Sequence, residues 1–299
     1  MRYVITGHLG LIGEALKERL DSEGHECVLA IDKREGHDVL NLENKSLPQG
    51  KTADILFHFA AKCKINEAVA NPSIPHMNNT HGIFSVLEFC RKNNIRKIVV
   101  PSTSRILSKE RNPYVASKVY VEELVKSYHD CYGIDYIILR PSTVYGPCFD
   151  KTSRLMSNFI VNSLKDEPLK IYGNVEKTLD FTYIDDFIEG VMLTLNTKNK
   201  IYNISGEEEL RVIDVAREIL KQTNSPSKIL FLDPEKAQPQ KVKVNTNEIK
   251  AIGYSPKIKV SEGISKMISW YKTNKEALLS YKDEGEKYYN FIPEKESLK

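Results

Sequence analysis

The stretch Val4-Ile5-Thr6-Gly7-His8-Leu9-Gly10-Leu11-Ile12-Gly13 limits what this chain can fold into more than any other. It sets three glycines at GxxGxxG spacing between a β-branched run and a segment, 11–22, whose apolar residues recur at helical intervals. Glycine permits a tight turn, lets the main chain approach a phosphate and lets the helix pack close to the strand. The amides of Leu11, Ile12 and Gly13, at the start of that helix, then face an anion with the positive end of the helix dipole. Close packing alone also selects such glycines, so the turn by itself leaves a purely steric reading open.

The sequence around the turn repeats its two periods. Short apolar, β-branched runs fall at 3–6, 26–31, 55–59, 97–100 and 135–139, and helical patterns lie between them at 11–22, 82–93 and 114–132. This alternation predicts an α/β fold, a doubly wound parallel sheet of the Rossmann type. Strands as continuously apolar as Ile98-Val99-Val100 suit a sheet covered on both faces. Asp32 closes the second strand, where a carboxylate accepts hydrogen bonds from a ribose diol and repels a 2′-phosphate, which favours NAD. Lys33 and Arg34 follow directly, and either can pair with a phosphate, which keeps NADP open.

Asn112-Pro113-Tyr114-Val115-Ala116-Ser117-Lys118 reads as a capped helix start, and its Tyr114 and Lys118, four apart, share one helix face. An isolated tyrosine titrates near ~10 and is a poor base at neutral pH. A neighbouring ammonium favours the phenolate. Such a pair can take a proton from a substrate hydroxyl while a nicotinamide cofactor oxidises the same carbon.

Beyond position 147 the pattern loosens into helices at 155–164 and 210–220, short strands at 229–232 and 241–244, and a charged helix and tail over 276–299. The expected division is a cofactor domain at 1–145 with 178–205, and a smaller mixed α/β substrate domain at 146–177 with 206–299. Lysine and arginine, 43 in all, nearly balance 40 acidic residues and form no stripe, so no nucleic-acid partner is indicated. No run is long enough to cross a bilayer. Five cysteines without metal-ligand spacing fit free thiols in a reducing, cytoplasmic setting and no metal site.

Taken together, the glycine turn, HFAAK (58–62), Asn71-Pro72 with Asn79, Pro101-Ser102-Thr103, YVASK (114–118), LRPSTVYGP (139–147), LKIYG (169–173) and LDFTYIDD (179–186) resemble the extended short-chain dehydrogenase/reductase family. Within it, the closest likeness is to NAD-dependent epimerases and dehydratases of nucleotide sugars, over about residues 1–271. The resemblance implies a catalytic set of Thr103, Tyr114 and Lys118. It places Asp38 and Val39 at the adenine, Phe59, Ala60, Ala61 and Asn79 along the cofactor, and Pro141 and Thr143 beside the nicotinamide. Lys62, Cys63, Thr103 and Thr143 then face the sugar, and Tyr172 meets the nucleotide base. A homodimer through the helices at 82–93 and 114–132 is implied as well.

The chain departs from that family at four places. Ser104 and Arg105 follow Thr103 where 4,6-dehydratases carry Asp-Glu, so elimination of water lacks its acid–base pair. Only eleven positions separate Thr103 from Tyr114, Thr143 stands for an asparagine, and Leu179 replaces an arginine that pairs with the diphosphate. The favoured activity is epimerisation of a nucleotide-diphosphate sugar through a transient ketone. A sugar dehydrogenase or ketoreductase, an atypical dehydratase and a non-catalytic dinucleotide sensor are the alternatives. Blander roles are expected elsewhere: surface or turn positions for His8, His25, His37, His76, His81 and His129, a packed thiol for Cys148, helix-start acids for Asp185 and Asp186, and a core place for Trp270.

Overall fold

The computed structural model describes residues 1–149, 152–234, 238 and 242–283. In chain order its strands are β1 (Arg2–Thr6), β2 (Glu26–Ile31), β3 (Ile55–His58), β4 (Lys97–Pro101), β5 (Asp135–Pro141), β6 (Thr143–Tyr145), β7 (Leu169–Tyr172), β8 (Thr178–Tyr183), β9 (Lys200–Ile204), β10 (Glu208–Arg211) and β11 (Ile229–Leu232). The helices are α1 (Leu11–Ser22), α2 (Ile65–Ala70), α3 (Ser73–Pro75), α4 (Gly82–Lys92), α5 (Pro113–Tyr132), α6 (Leu155–Leu164), α7 (Ile184–Thr194), α8 (Val212–Thr223), α9 (Asn247–Lys250), α10 (Val260–Thr273) and α11 (Lys275–Ser280).

Six strands form one parallel sheet in the order β2-β1-β3-β4-β5-β9. Alternation along each strand divides the buried side chains between two cores. Tyr3, Ile5, Phe57, Val99, Ile137 and Leu139 pack with Leu16 of α1 and Phe187 of α7. Val4, Leu56, Ile98, Val100 and Ile138 pack on the other face with Phe89 of α4 and Val125 of α5. Each such side chain, fully withdrawn from water, contributes about 1.5–3 kcal/mol, which is why the sheet needs helices on both faces.

The first core runs on past the sheet. Phe159 of α6, Ile219 of α8 and Ile264 of α10 belong to the same cluster. Here β8 pairs in parallel with β6 and antiparallel with β10, and β7 pairs with β11. The stretch 178–205 therefore contributes to both assemblies, β8 to the small sheet and β9 to the large one.

Several expectations shift in detail. The helix expected at 210–220 starts at Val212, because Leu210 and Arg211 pair with β8. Residues 242–244 form no strand, and Lys241 lies outside the described residues. Of the segment 276–299, helix α11 ends at Ser280 and 284–299 lie outside the described residues. Trp270 is only partly buried, edge-on to Phe149 and Tyr271 at the margin of the core. Asp186 does more than begin a helix: its buried carboxylate accepts the amides of Lys257 and Ile258, both at 2.9 Å, and so anchors the approach to α10. His8 keeps its place in the turn but is buried, with Nε2 3.2 Å from Glu35.

Candidate active site

Along the ends of β1, β2, β3, β4 and β5 runs a cleft made of two adjoining cavities, about 640 and about 490 Å³. The glycine turn forms one end. Gly7 has φ of +76°, and a Cβ there would come within 2.5 Å of the Ala60 nitrogen. A Cβ on Gly13 would collide with the Gly7 carbonyl, whereas one on Gly10 would only touch that carbonyl at 3.4 Å. Two glycines are thus required by packing, and the third keeps the main chain open toward the cavity. Gly10, Leu11, Ile12 and Gly13 all line it, so the first turn of the twelve-residue α1 presents its amides there.

Asp32 stands on the same wall. Its carboxylate accepts from the Leu9 amide at 3.2 Å, the Arg34 amide at 3.0 Å, Arg34 Nε at 3.1 Å and Arg34 Nη2 at 3.3 Å. Burial pushes this carboxyl up, and those donors, with Arg34 foremost, outweigh it and hold the group below the usual carboxylate range. Lys33 lines the same cavity, with Nζ 3.0 Å from the Asp38 carboxylate. Asp38 also accepts from the Leu40 amide, starting the 3₁₀ turn Val39–Asn44 that carries Val39 to the cavity.

The middle of the cleft holds Thr103, Tyr114 and Lys118, each less than a tenth exposed. Helix α5 brings the last two there. Asn112 caps it by accepting from the Val115 amide at 2.9 Å, Pro113 occupies its first turn, and Gly133 ends it at φ +68°. Burial pushes the Tyr114 phenol up to about 12, with Cys63 adding to the rise, while the Thr103 hydroxyl, within hydrogen-bonding reach, and the Arg105 charge pull it back. Lys118 donates to the Pro101 carbonyl at 2.8 Å, and burial lowers its ammonium to about 8 against the pull of Cys63 and Glu122. One turn further along, Glu122 receives Arg140 Nε at 2.8 Å and Nη2 at 2.5 Å, which ties α5 to β5.

Phe59, Ala60, Ala61, Lys62, Cys63, Pro141 and Thr143 complete the first cavity. Asn79 is not on that wall. Its amide brackets the Lys62 peptide, accepting from the nitrogen and donating to the oxygen at 2.9 Å each, and it also donates to Ser117 Oγ. Tyr172 lines the second cavity, together with Lys64, Lys165, Lys170 and Lys177.

Three features escaped the reading of the sequence. His58 is wholly enclosed, its Nδ1 2.8 Å from Thr6 Oγ1, and burial together with the Lys118 charge lowers it to about 3, so the ring is neutral. Asp180, hydrogen-bonded to Ser205, lines the first cavity, and burial raises its carboxyl. Arg154, beside α6, belongs to both cavities. Only the HFAAK and LDFTY contexts hinted at the first two; Arg154 carries no local signal. Among the described residues no group of three His, Cys, Asp or Glu is placed to hold a metal ion, and no helix is long and apolar enough to cross a membrane.

Comparison with known proteins adds a family to this geometry. A sequence model of the NAD dependent epimerase/dehydratase family matches residues 3–205. The UDP-glucuronate 4-epimerase of Thermodesulfobacterium geofontis is 28% identical over 94% of this chain and 99% of its own length. In structure, the UDP-glucose 4-epimerase of Thermus thermophilus, crystallised with NAD, superposes with a TM-score of 0.83 at 23% identity, covering 91% of this chain and 99% of that one. A double mutant of a dTDP-glucose 4,6-dehydratase from Streptomyces venezuelae gives a TM-score of 0.84 at 21% identity, covering 92% and 98%. Both superpositions reproduce the Rossmann sheet with its flanking helices.

Proposed function

Because the chain belongs to the NAD dependent epimerase/dehydratase family, we propose that this enzyme epimerises a ring hydroxyl of a nucleotide-diphosphate sugar. The observation that carries the reading is the meeting of Thr103, Tyr114 and Lys118 in the glycine-turn cavity, which shares Cys63 and Thr143 with the lysine-lined one. The residues present fit NAD. Gly7 and Gly13 leave no room for a side chain, the α1 amides face the cavity, and Asp32 stands where a ribose diol needs an acceptor. NAD, when bound, would supply the reversible oxidation that makes a ketone of the hydroxyl and restores it.

The protein's own part is proton handling. Thr103 would hold the sugar hydroxyl beside Tyr114, and the phenol oxygen would take its proton and later return it. A phenol at about 12 is too weakly acidic for that at neutral pH. The charge on Lys118, which is mostly protonated at pH 7 with its ammonium at about 8, would lower it once the cleft is filled and closed to water. No carboxylate follows Thr103, which disfavours elimination of water.

The relatives named above divide between neutral and carboxylated sugars, and the uridine nucleotides are the first to test. Native mass spectrometry should show NAD retained and one sugar nucleotide bound from a mixed pool. Turnover should yield an epimer with no build-up of NADH; stoichiometric NADH without epimer would make the enzyme a dehydrogenase. Replacing Tyr114 by Phe should cut the rate about 10³-fold with NAD still bound, and unchanged activity would remove Tyr114 from the chemistry. We also infer a homodimer through α4 and α5, where Phe84, Val119 and Tyr120 stand exposed. A monomeric mass at micromolar concentration would reject it.

A further inference from the structure

Residues near a chain's end are loose unless something ties them down, and here residues 281–283 are tied at the second cavity. Helix α11 first reaches the core through Ala277 and Leu278. Residues 281–283 then meet α6 and the residues before it. The Tyr281 hydroxyl donates to Asn158 Oδ1, and Asn158 Nδ2 donates to Asp283 Oδ2 at 3.0 Å. Lys165 Nζ donates to the Tyr281 carbonyl at 3.5 Å, and Ser153 Oγ to the Lys282 carbonyl at 3.4 Å. The family match ends at residue 205 and assigns nothing to this segment.

The seam is placed on the cleft. Ser153, Asn158, Lys165, Tyr281 and Asp283 line the second cavity, whereas Ala277, which holds the segment to the core, does not. The seam also reaches the head of α6. Ser153 is buried with φ at +49°, left-handed backbone that a residue with a side chain keeps only where its surroundings fix it. The Lys282 carbonyl supplies part of that fixing. Arg154 follows directly as the cap of α6 and stands on the wall of both cavities. The turn that presents this guanidinium is therefore held from the far end of the chain.

We propose that residues 281–283 form a wall of the sugar-nucleotide site and that Tyr281 is its positioning residue. Through Asn158 it sets the start of α6, and with it Arg154, for a diphosphate. The inference rests on the proposed sugar-nucleotide chemistry and adds to that site a segment distant in sequence from every residue of the glycine turn and the Tyr114 centre. Small displacements of a positioned charge are felt strongly, because a charge-assisted hydrogen bond weakens steeply as its geometry is lost.

The test titrates UDP and dTDP into the full-length, NAD-loaded protein and takes the tighter binder as probe. Tyr281→Phe and Asp283→Ala should each weaken it about three- to tenfold, the worth of one hydrogen bond, with NAD affinity within about twofold of wild type. Asp283→Asn keeps the acceptor for Asn158 and removes a negative charge from a cavity meant for an anion, so it should bind the probe at least as tightly as wild type. Trypsin gives a reading that needs no variant: cleavage after the exposed Lys282 should slow about tenfold or more at saturating probe and not with NAD alone. Unchanged probe affinity in Tyr281→Phe and Asp283→Ala, or cleavage indifferent to the probe, would make the segment a structural clip and overturn the inference. Equal weakening of probe and NAD would overturn it too, as a general loosening. These failures leave the epimerase reading in place. Binding of neither nucleotide by wild type overturns that reading and this inference with it.

Discussion

The two ends of the cleft are built by opposite means. At the end proposed for the dinucleotide much of the wall is main chain, three glycines, the first turn of α1 and the tips of adjacent strands, with Asp32, Lys33, Arg34 and Asp38 beside them. At the end proposed for the sugar it is long side chains, Arg105, Arg154 and four lysines, brought from separate loops, helix ends and strand β7. The first surface cannot change without moving the sheet, whereas the second can change residue by residue on an unchanged frame. A fold of this kind keeps one cofactor and takes many substrates.

The largest test of that contrast is Gly13→Ala. The added methyl would collide with the backbone carbonyl of Gly7, and neither can retreat without opening the β1–α1 junction. The expected cost is about 3 kcal/mol or more, read as a fall in the thermal midpoint of roughly 6–12 °C with loss of NAD binding. Gly10→Ala, whose methyl only touches the same carbonyl, should leave the midpoint nearly unchanged and weaken NAD alone. Equal stability of the two variants would show that the turn is not held by packing.

The second test is acid stability, through His58 under the dinucleotide floor. Its ring titrates at about 3 when folded against an ordinary 6.5. Between those values the unfolded chain binds a proton that the folded protein does not. Stability therefore falls as pH drops from 6.5 toward 3, by about 1.4 kcal/mol per pH unit from this group. Denaturant titrations of wild type and His58→Gln across that window should show the shallower slope in the variant. Parallel slopes would mean the ring is protonated in place. Substrate-end variants such as Arg154→Ala should not alter this slope.

How much of each end was legible follows from the same contrast. Gly7, Gly10, Gly13, Asp32, Tyr114 and Lys118 are fixed by spacing within one turn, one strand end or one helix, and short-range spacing is what a sequence displays. The strands and most helix limits follow from periods of two and 3.6 residues, and Leu210 was misplaced because pairing with Leu179 of β8 overrode its helical spacing. The sugar end joins Cys63, Arg105, Thr143 and Arg154, as far as ninety-one positions apart, and no local period reports that meeting. His58 reads as one more apolar-run residue until Thr6 and Lys118 are seen around it. Asn79 lay on a recognised motif, yet its amide is spent on the Lys62 peptide.

At the sugar end itself, Arg154→Ala should weaken a UDP-sugar by about 10–100-fold, the loss of a charge-assisted contact to a diphosphate oxygen. NAD affinity should stay within about twofold, because Arg154 stands on the wall shared by the two cavities and not in the glycine turn or at Asp32. Isothermal titration with each ligand separates the two. Equal weakening of both would mean that the cavities act as one site, and the division drawn above would fail.

The smallest effect belongs to a long side chain of the dinucleotide end. Arg34 fills the Asp32 carboxylate with its amide, Nε and Nη2, which are the positions a ribose diol needs. Its side chain is 34% exposed, so water screens the pair and its net worth is about 1 kcal/mol or less. Removing it in Arg34→Ala takes away a competitor for Asp32, and NAD should bind a few-fold more tightly, within the roughly fivefold that this energy permits. NADP, which loses a cation for its 2′-phosphate and meets an uncovered carboxylate, should weaken instead. Titrating both dinucleotides into wild type and variant measures the divergence. If NAD weakened more than NADP, Arg34 would be gripping the cofactor itself, and the dinucleotide end would prove as dependent on side chains as the sugar end.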